Sequence, residues 1–534
     1  MSQQLENARA FEKIHGDLIR PEDRPAFHLS PRTGWMNDPN GFSFYQGKYH
    51  MFYQYHPYDS HWGPMHWGHA VSKDLLHWEY LPAALAPDMP YDGDGCFSGN
   101  AITLPDGRQM LMYTGVVKEA DENGILREVQ QQCLAFGDGS DYEKYPGNPV
   151  LTAADLPEGA DRYEFRDPHV WQDEDGLFHA LAVNYSHNKR PGASEGPGCW
   201  HADGLQGSDR IQEDEEGGRI LLFRSEDGLH WTFERTLAVN GYRIGRMWEC
   251  PDLFTLDEKG VLLASAMDML PTDLEYDNGN GSFCLIGDYD PAAGTFVPDH
   301  DQAVDQGIDF YAEQTVLTPD GRRVMIAWMQ NWDTCYFHAK TIPWFGQMTL
   351  PRELSVQNGR LYQWPIRELE SLRSAPVHYE DIQIRDEEIE LDGIRGRLLD
   401  LELEIEAARE GSPSDSGDPF SALQHFSLQF AKDERFHTSL FFSPADSTLE
   451  IVRKYSGSRR AILHQRRIGV RCPDGKLRLR IILDRYSVEV FINGGEQTMT
   501  ATLYTAPNAD RVAFSARGQA RLQITKYALC GEKT

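Results

Sequence analysis

The chain has 534 residues, with 51 Lys and Arg against 82 Asp and Glu, a formal net charge of −31. That balance repels polyanions on average, which excludes nucleic acid and anionic membrane surfaces as expected partners. The length admits roughly two to four domains, and 40% hydrophobic residues suffice for sizeable cores.

The opening segment, residues 1–26, is polar and charged, with no apolar run of the signal-peptide type. Within it, residues 5–20 have the spacing of a short amphipathic helix leading in. No apolar stretch reaches the roughly 18 residues of a membrane span, so no transmembrane helix is expected. The eight cysteines (Cys96, Cys133, Cys199, Cys250, Cys284, Cys335, Cys472 and Cys530) contain no Cys-x-x-Cys pair. Their spacing suggests neither a disulfide framework nor a zinc site, and reduced thiols in a cytoplasmic protein fit best.

From 27 to 362 short β-branched and aromatic runs alternate with Gly, Pro, Asn and Asp, as at 49–55, 109–113, 178–183, 261–266 and 324–328. Strand after strand with almost no helical periodicity predicts an all-β sandwich, barrel or propeller. A weak internal repeat favours the propeller. Ser72-Lys73-Asp74-Leu75-Leu76-His77-Trp78 and Ser225-Glu226-Asp227-Gly228-Leu229-His230-Trp231 share one frame, and 138–145 is a poorer copy. A Ser/Asp turn above a packed aromatic suits equivalent hairpins in successive blades.

Residues 363–376 read as a linker with one or two helical turns. Its Trp364 and Leu369 can bury against both neighbouring domains, unlike a Gly/Ser tether. Beyond it, 377–534 alternates apolar and polar residues, as at 477–482 and 487–492, then turns at Asn493-Gly494. That predicts a second β domain, most simply a sandwich. Segments 187–218 and 407–418, rich in Gly, Ser and acids, read as loops.

Three carboxylates stand within two residues of a proline in this pattern. Asp38 lies in Trp35-Met36-Asn37-Asp38-Pro39-Asn40-Gly41, Asp167 in Arg166-Asp167-Pro168, and Glu249 in Trp248-Glu249-Cys250-Pro251-Asp252. Each turn fixes a carboxylate at a strand end, and such acids converging on one axis would serve a glycosidase. The histidines His56, His61, His66 and His69 lack helical metal-site spacing and read as structural or rim residues. Cys250 reads as a thiol packed behind the acid. No phosphate-cradling Gly-rich loop and no Ser-His-Asp order is present.

The three motifs, together with Phe52-Tyr53-Gln54, the run from Trp62 to His69, Phe97-Ser98-Gly99, Asp309-Phe310-Tyr311-Ala312, Leu350-Pro351-Arg352-Glu353-Leu354 and Ser487-Val488-Glu489-Val490-Phe491, resemble those of glycoside hydrolase family 32 in the family's order. These are the β-fructofuranosidases, invertases and sucrose hydrolases. The resemblance implies a five-bladed β-propeller over 27–362, a C-terminal β-sandwich over 377–534, and a site in the propeller funnel. It implies Asp38 as nucleophile, Glu249 as general acid/base and Asp167 as the carboxylate that binds sugar hydroxyls and stabilises the transition state. Arg166 would keep Asp167 ionised and bond a hydroxyl. Asn37, Gln54, Ser98, Asp309 and Tyr311 match positions that contact the fructosyl unit or hold the acids. Trp62, Phe97 and Trp332 match the funnel lining, where rings stack on sugars.

The function so implied is retaining hydrolysis of terminal β-D-fructofuranosyl units from sucrose and short fructo-oligosaccharides, with no cofactor and no metal. Sucrose-6-phosphate hydrolysis and fructosyl transfer are the neighbouring alternatives. A non-catalytic sugar-binding propeller is disfavoured because all three acids are present. The expected partner is a small sugar, with no nucleic acid or membrane, and a homo-oligomer is left open.

Overall fold

In a computed structural model of the protein, the described residues are 1–189, 215–241, 243–335, 342–374, 376–407, 423–457 and 463–529. Of the loop readings at 187–218 and 407–418, residues 190–214 and 408–418 lie outside them, whereas 187–189, 215–218 and 407 are strand, because Phe178–Lys189 pairs with Glu215–Ser225 and Leu399–Ala407 continues to its last residue. Among the described residues, five sheets with four antiparallel strands each follow one another from Gly34 to Pro365, forming a five-bladed propeller; the first gains a short fifth strand, Trp344–Phe345, which interrupts the fifth blade in sequence. The inner strands are Gly34–Tyr45, Gly95–Thr103, Ala160–Gln172, Met247–Leu256 and Tyr311–Leu317.

Second strands such as Lys48–His56 and Lys259–Met269 are buried along most of their length because neighbouring blades cover both faces. A separate apolar cluster fills each seam. Met110 and Met112 of the second blade pack with Phe165 and Phe223 of the third, and Leu262 and Phe283 of the fourth pack with Leu181 and Ile220 of the third. The ring closes where Trp344–Phe345 pairs in parallel with Gly34–Trp35.

The repeated heptads occupy equivalent hairpins between the third and fourth strands of the first and third blades. In each, the Ser hydroxyl accepts from backbone N–H groups, Leu75 at 2.8 Å in one copy and Gly228 at 2.9 Å in the other. The Asp carboxylate accepts from the His backbone at 2.9 Å and contacts its ring, at 2.6 Å for His77 and 2.7 Å for His230. The poorer copy sits between the corresponding strands of the second blade, with Asp138 accepting from Ser140 and Asp141.

The N-terminal helix, Gln3–Gly16, is capped by Ser2 and buries Leu5, Ala8 and Glu12 on one face. Glu12 and Arg9 bond the backbone of Ala83, at 2.9 Å each, which fastens the helix to the first blade.

The fifth blade's outer strand, Arg360–Pro365, runs three residues into the segment read as a linker, and a 3₁₀ helix follows at Arg367–Leu372. The strand continues because 363–365 still pair with 352–354 of the blade. The C-terminal domain is a sandwich whose two sheets share one long strand, Arg511–Ala528. Its first part pairs with Leu423–Lys432 and its second part with Leu399–Ala407 and Val377–Arg385. Gly518 lies at the crossover, with φ +82°.

The two domains meet through buried ionic contacts. Arg352, fully buried, donates to Glu489 at 3.0 and 2.6 Å and to Asp305 at 3.0 Å. His28 bridges Asp484 at 2.8 Å and Glu489 at 2.9 Å; despite the opposing effect of burial, these carboxylates lift its pKa to about 9. Leu369 packs with Ile482 and Phe491, and Trp364 meets Phe491 edge-on at 5.8 Å. Thus the Leu350–Leu354 and Ser487–Phe491 motifs, whose Arg352 and Glu489 lie 137 residues apart, are two halves of one seam. Replacing Arg352 by Ala leaves Asp305 buried without its cation and Glu489 with His28 alone, which should cost about 3–5 kcal/mol. Chemical denaturation should show that loss within a single cooperative transition of both domains.

Candidate active site

At a common level on each inner strand the ladder slips by one residue. The slips fall between Met36 and Pro39, Phe97 and Gly99, Arg166 and His169, Glu249 and Asp252, and Tyr311 and Gln314. Such a bulge bends the strand and re-aims its side chains. Asp167, Cys250 and Ala312, within three of them, take left-handed φ values of +56°, +51° and +57°. That conformation is uncommon for residues with a Cβ and marks strain held in place by the surrounding sheet. Asp38, Ser98, Asp167, Glu249 and Tyr311 all stand at these slips.

The acids are locked from several directions. Ser98 Oγ donates to Asp38 Oδ2 at 2.6 Å, and Asn37 Nδ2 donates to Asp38 Oδ1 at 3.0 Å. Trp35 Nε1 donates to Asn37 Oδ1 at 2.7 Å and so fixes the amide's orientation. Asp167 Oδ2 accepts from the backbone N–H of Cys250 at 3.0 Å, while Thr114 Oγ1 accepts from the Asp167 N–H. Glu249 receives Arg166 Nε on Oε1 at 3.0 Å and the Tyr311 hydroxyl on Oε2 at 2.6 Å. Cys250 Sγ touches both Asp38 Oδ2 at 3.8 Å and Asp167 Oδ2 at 3.7 Å. One thiol therefore brackets two of the acids, and its neighbour in the chain is the third.

Burial pushes the Asp38 pKa up to about 6; the Ser98 and Asn37 hydrogen bonds oppose the rise, and the charge of Glu249 adds to it. Asp167 is raised for the same first reason, with Arg166 opposing and the charges of Glu249 and Asp38 adding. Burial and the surrounding carboxylates push Cys250 well above the usual thiol range, so it stays a neutral thiol. The Tyr311 phenol is raised likewise and remains a donor to Glu249. Arg166, though buried, is held firmly cationic by Glu164, Glu249 and Asp167.

The remaining expected residues divide. Gln54 faces the Asn37–Asp38 bulge from the second strand and donates to the carbonyl of Cys96 at 3.0 Å. Phe97 packs edge-on against Trp62 at 6.1 Å, and Trp62 is 43% exposed, as a rim residue would be. Trp332 meets Trp328 at 5.2 Å, and Trp328 meets Trp35 at 6.1 Å, forming an aromatic wall around Cys250 and Tyr311.

Asp309 is a correction. It is fully buried in the seam between domains, where one oxygen takes Arg453 and both the N–H and hydroxyl of Thr502, at 2.7 and 2.8 Å, so it does not reach a sugar. The expected histidines go to separate partners: His56 to the carbonyl of His61, His61 to Asp59, His66 to the carbonyl of Pro64 and His69 to His50. Among the described residues, no group of three His, Cys, Asp or Glu side chains is arranged to hold a metal ion.

Several residues of the site went unanticipated. Glu164 pairs with Arg166 from two residues upstream, and strand alternation could have signalled it. Thr114 and Gln130, from the second blade, steady Asp167 and Phe165 with no local signature.

The electrostatics set two expectations. Asp38 binds its proton more tightly folded than unfolded, so between about pH 4 and pH 6 stability falls as pH rises. Asp38→Asn removes the buried charge and should raise neutral-pH stability by ~1–3 kcal/mol while abolishing turnover. Calorimetry on the variant checks the first half and a sugar-release assay the second. A carboxylate attacks only when ionised, so with Asp38 as the nucleophile kcat/KM should fall as pH drops through about 6.

Comparison with known proteins now places the chain. The model of the glycosyl hydrolases family 32 N-terminal domain matches residues 28–193 and 209–365, and that of the family's C-terminal domain matches 368–528. A sucrose-6-phosphate hydrolase of Escherichia coli is 36% identical over 507 residues, covering 93% of each chain. A raffinose invertase of Escherichia coli is 35% identical over 513 residues, again covering 93% of each. The solved structure of a Bombyx mori GH32 β-fructofuranosidase superposes with a TM-score of 0.77 at 31% identity, covering 98% of this chain and 97% of that one. The chain belongs to glycosyl hydrolase family 32.

Proposed function

We propose that the protein is a retaining β-fructofuranosidase that releases terminal β-D-fructofuranosyl units from sucrose and short fructo-oligosaccharides. The observation that carries this reading is the gathering of Asp38, Asp167 and Glu249 from three separate inner strands around one thiol. In the first step an Asp38 oxygen attacks the anomeric carbon as the glycosidic C–O bond breaks. Glu249 gives its proton to the departing glucosyl oxygen. Asp167 binds ring hydroxyls and adds negative field as oxocarbenium charge grows. In the second step Glu249 takes a proton from water, the water oxygen bonds the anomeric carbon, and Asp38 leaves as a carboxylate.

The hydrogen bonds support this division of work. Ser98 and Asn37 leave lone pairs on both Asp38 oxygens, while Tyr311 and Arg166 aim Glu249. The Cys250 thiol is shared between Asp38 and Asp167. The cytoplasmic reading is supported by five buried, unpaired thiols among the described residues, Cys96, Cys133, Cys250, Cys284 and Cys335. No helix among the described residues is long and apolar enough to cross a membrane.

A second reading, sucrose-6-phosphate hydrolysis, is favoured by the name of the Escherichia coli relative. Measuring kcat/KM for sucrose, sucrose-6-phosphate and 1-kestose side by side separates the two, and sucrose is expected to be turned over without a phosphate. NMR during early turnover should show β-fructose first, because two displacements at one carbon retain configuration. The α-anomer first would assign an inverting mechanism and overturn the nucleophile.

A further inference from the structure

The misplaced aspartate of the Asp309-Phe310-Tyr311 motif joins the sandwich to the catalytic centre. We infer that Arg453, a residue of the sandwich, is a positioning residue for Glu249, acting through Asp309 and Tyr311; this rests on Glu249 being the acid/base.

The chain of contacts is short and buried. Arg453 follows the sandwich strand Thr448–Val452 and is 1% exposed. Its Nη1 pairs with Asp309 and donates to Thr502 Oγ1 at 2.9 Å. Its guanidinium lies 4.9 Å over the Tyr504 ring. The segment leading into Tyr311 is pinned along its length to the sandwich strand Gln497–Thr502. Gln306 N donates to the Thr498 carbonyl at 2.9 Å, Ile308 N to that of Thr500 at 2.7 Å, and Asp309 N to the same oxygen at 3.1 Å. Gly307 permits this approach, since a Cβ there would stand 2.0 Å from Thr500 N. Phe310, the next residue, lies under the Arg352 guanidinium at 4.9 Å.

Tyr311 then enters the blade and donates to Glu249 at 2.6 Å. The same segment also steadies the funnel wall, because Asn331 Nδ2 donates to the Ile308 carbonyl at 2.9 Å one residue before Trp332. Only two peptide links separate the Arg453 ion pair from the phenol that aims the acid. Asp309 has its cation from the other domain, so the rotation of Phe310 and Tyr311 out of the seam is set by the sandwich. A loss of aim at Glu249 weakens protonation of the leaving group and leaves the attack by Asp38 intact.

That distinction supplies the test. Glucose release from sucrose needs the acid, whereas 4-nitrophenyl β-D-fructofuranoside has a leaving group that departs unprotonated. For Arg453→Ala, kcat/KM on sucrose should fall about tenfold or more and on the aryl fructoside less than about threefold. Tyr311→Phe should show the same selectivity, and the double variant should be no worse than Tyr311→Phe alone. Arg453→Lys should restore most of the sucrose activity. Thr502→Val removes one donor to Asp309 and should give a smaller loss of the same kind; it carries the test if Arg453→Ala does not fold. Equal losses on both substrates, or additive effects in the double variant, would assign Arg453 to general stability and overturn the inference. An unaltered chain that turns over neither substrate would instead overturn the reading on which it rests.

Discussion

The site depends on holding several acidic side chains out of water on one axis although their charges repel. Asp38 and Asp167 both pay for that placement with raised pKa values. The propeller tolerates it because each acid sits on its own rigid strand, at a bulge that no single sheet could supply for all three. Arg166 offers one fixed cation among them, and Cys250 fills the space between two carboxylates without adding charge. A third acid or a water at that position would bring either more repulsion or a competing nucleophile.

The same problem is solved differently in the domain seam. There the acids Asp305, Asp309, Asp484 and Glu489 each meet a buried cation or a set of backbone donors. Asp484 and Glu489 accordingly lie below their ordinary range, with His28 prominent among the causes. The seam acids each meet a cation from a neighbouring strand or domain and hold structure, whereas Asp38 and Asp167 gather at the site with raised pKa values. The contrast separates Asp309 from Asp167 although both occupy recognisable motifs.

Much of this was legible in the chain. The prolines beside Asp38 and Asp167 and after Cys250 marked the bulges, and the Ser/Asp heptads marked equivalent hairpins in the first and third blades. The fold class followed from strand periodicity, and the resemblance narrowed it to five blades and a sandwich. Asp309 was misread because a motif shows that a residue matters without showing which neighbour it meets. Its partners, Arg453 and Thr502, lie more than 140 residues downstream. Thr114 and Gln130 escaped for the same reason, since contacts across blades leave no local spacing. The strand running through 363–365 was missed because its pairing partner, and not its own composition, decides where the blade ends.

The central claim is that Asp38 forms a covalent bond to the fructosyl unit. The most direct measurement incubates Glu249→Gln with an aryl fructoside, so that the first step proceeds and the second lacks its base, followed by peptide mass spectrometry. A fructosyl adduct on the peptide carrying Asp38 is the expected result. An adduct on the Asp167 peptide, or none while aryl alcohol is released in the first turnover, would contradict it.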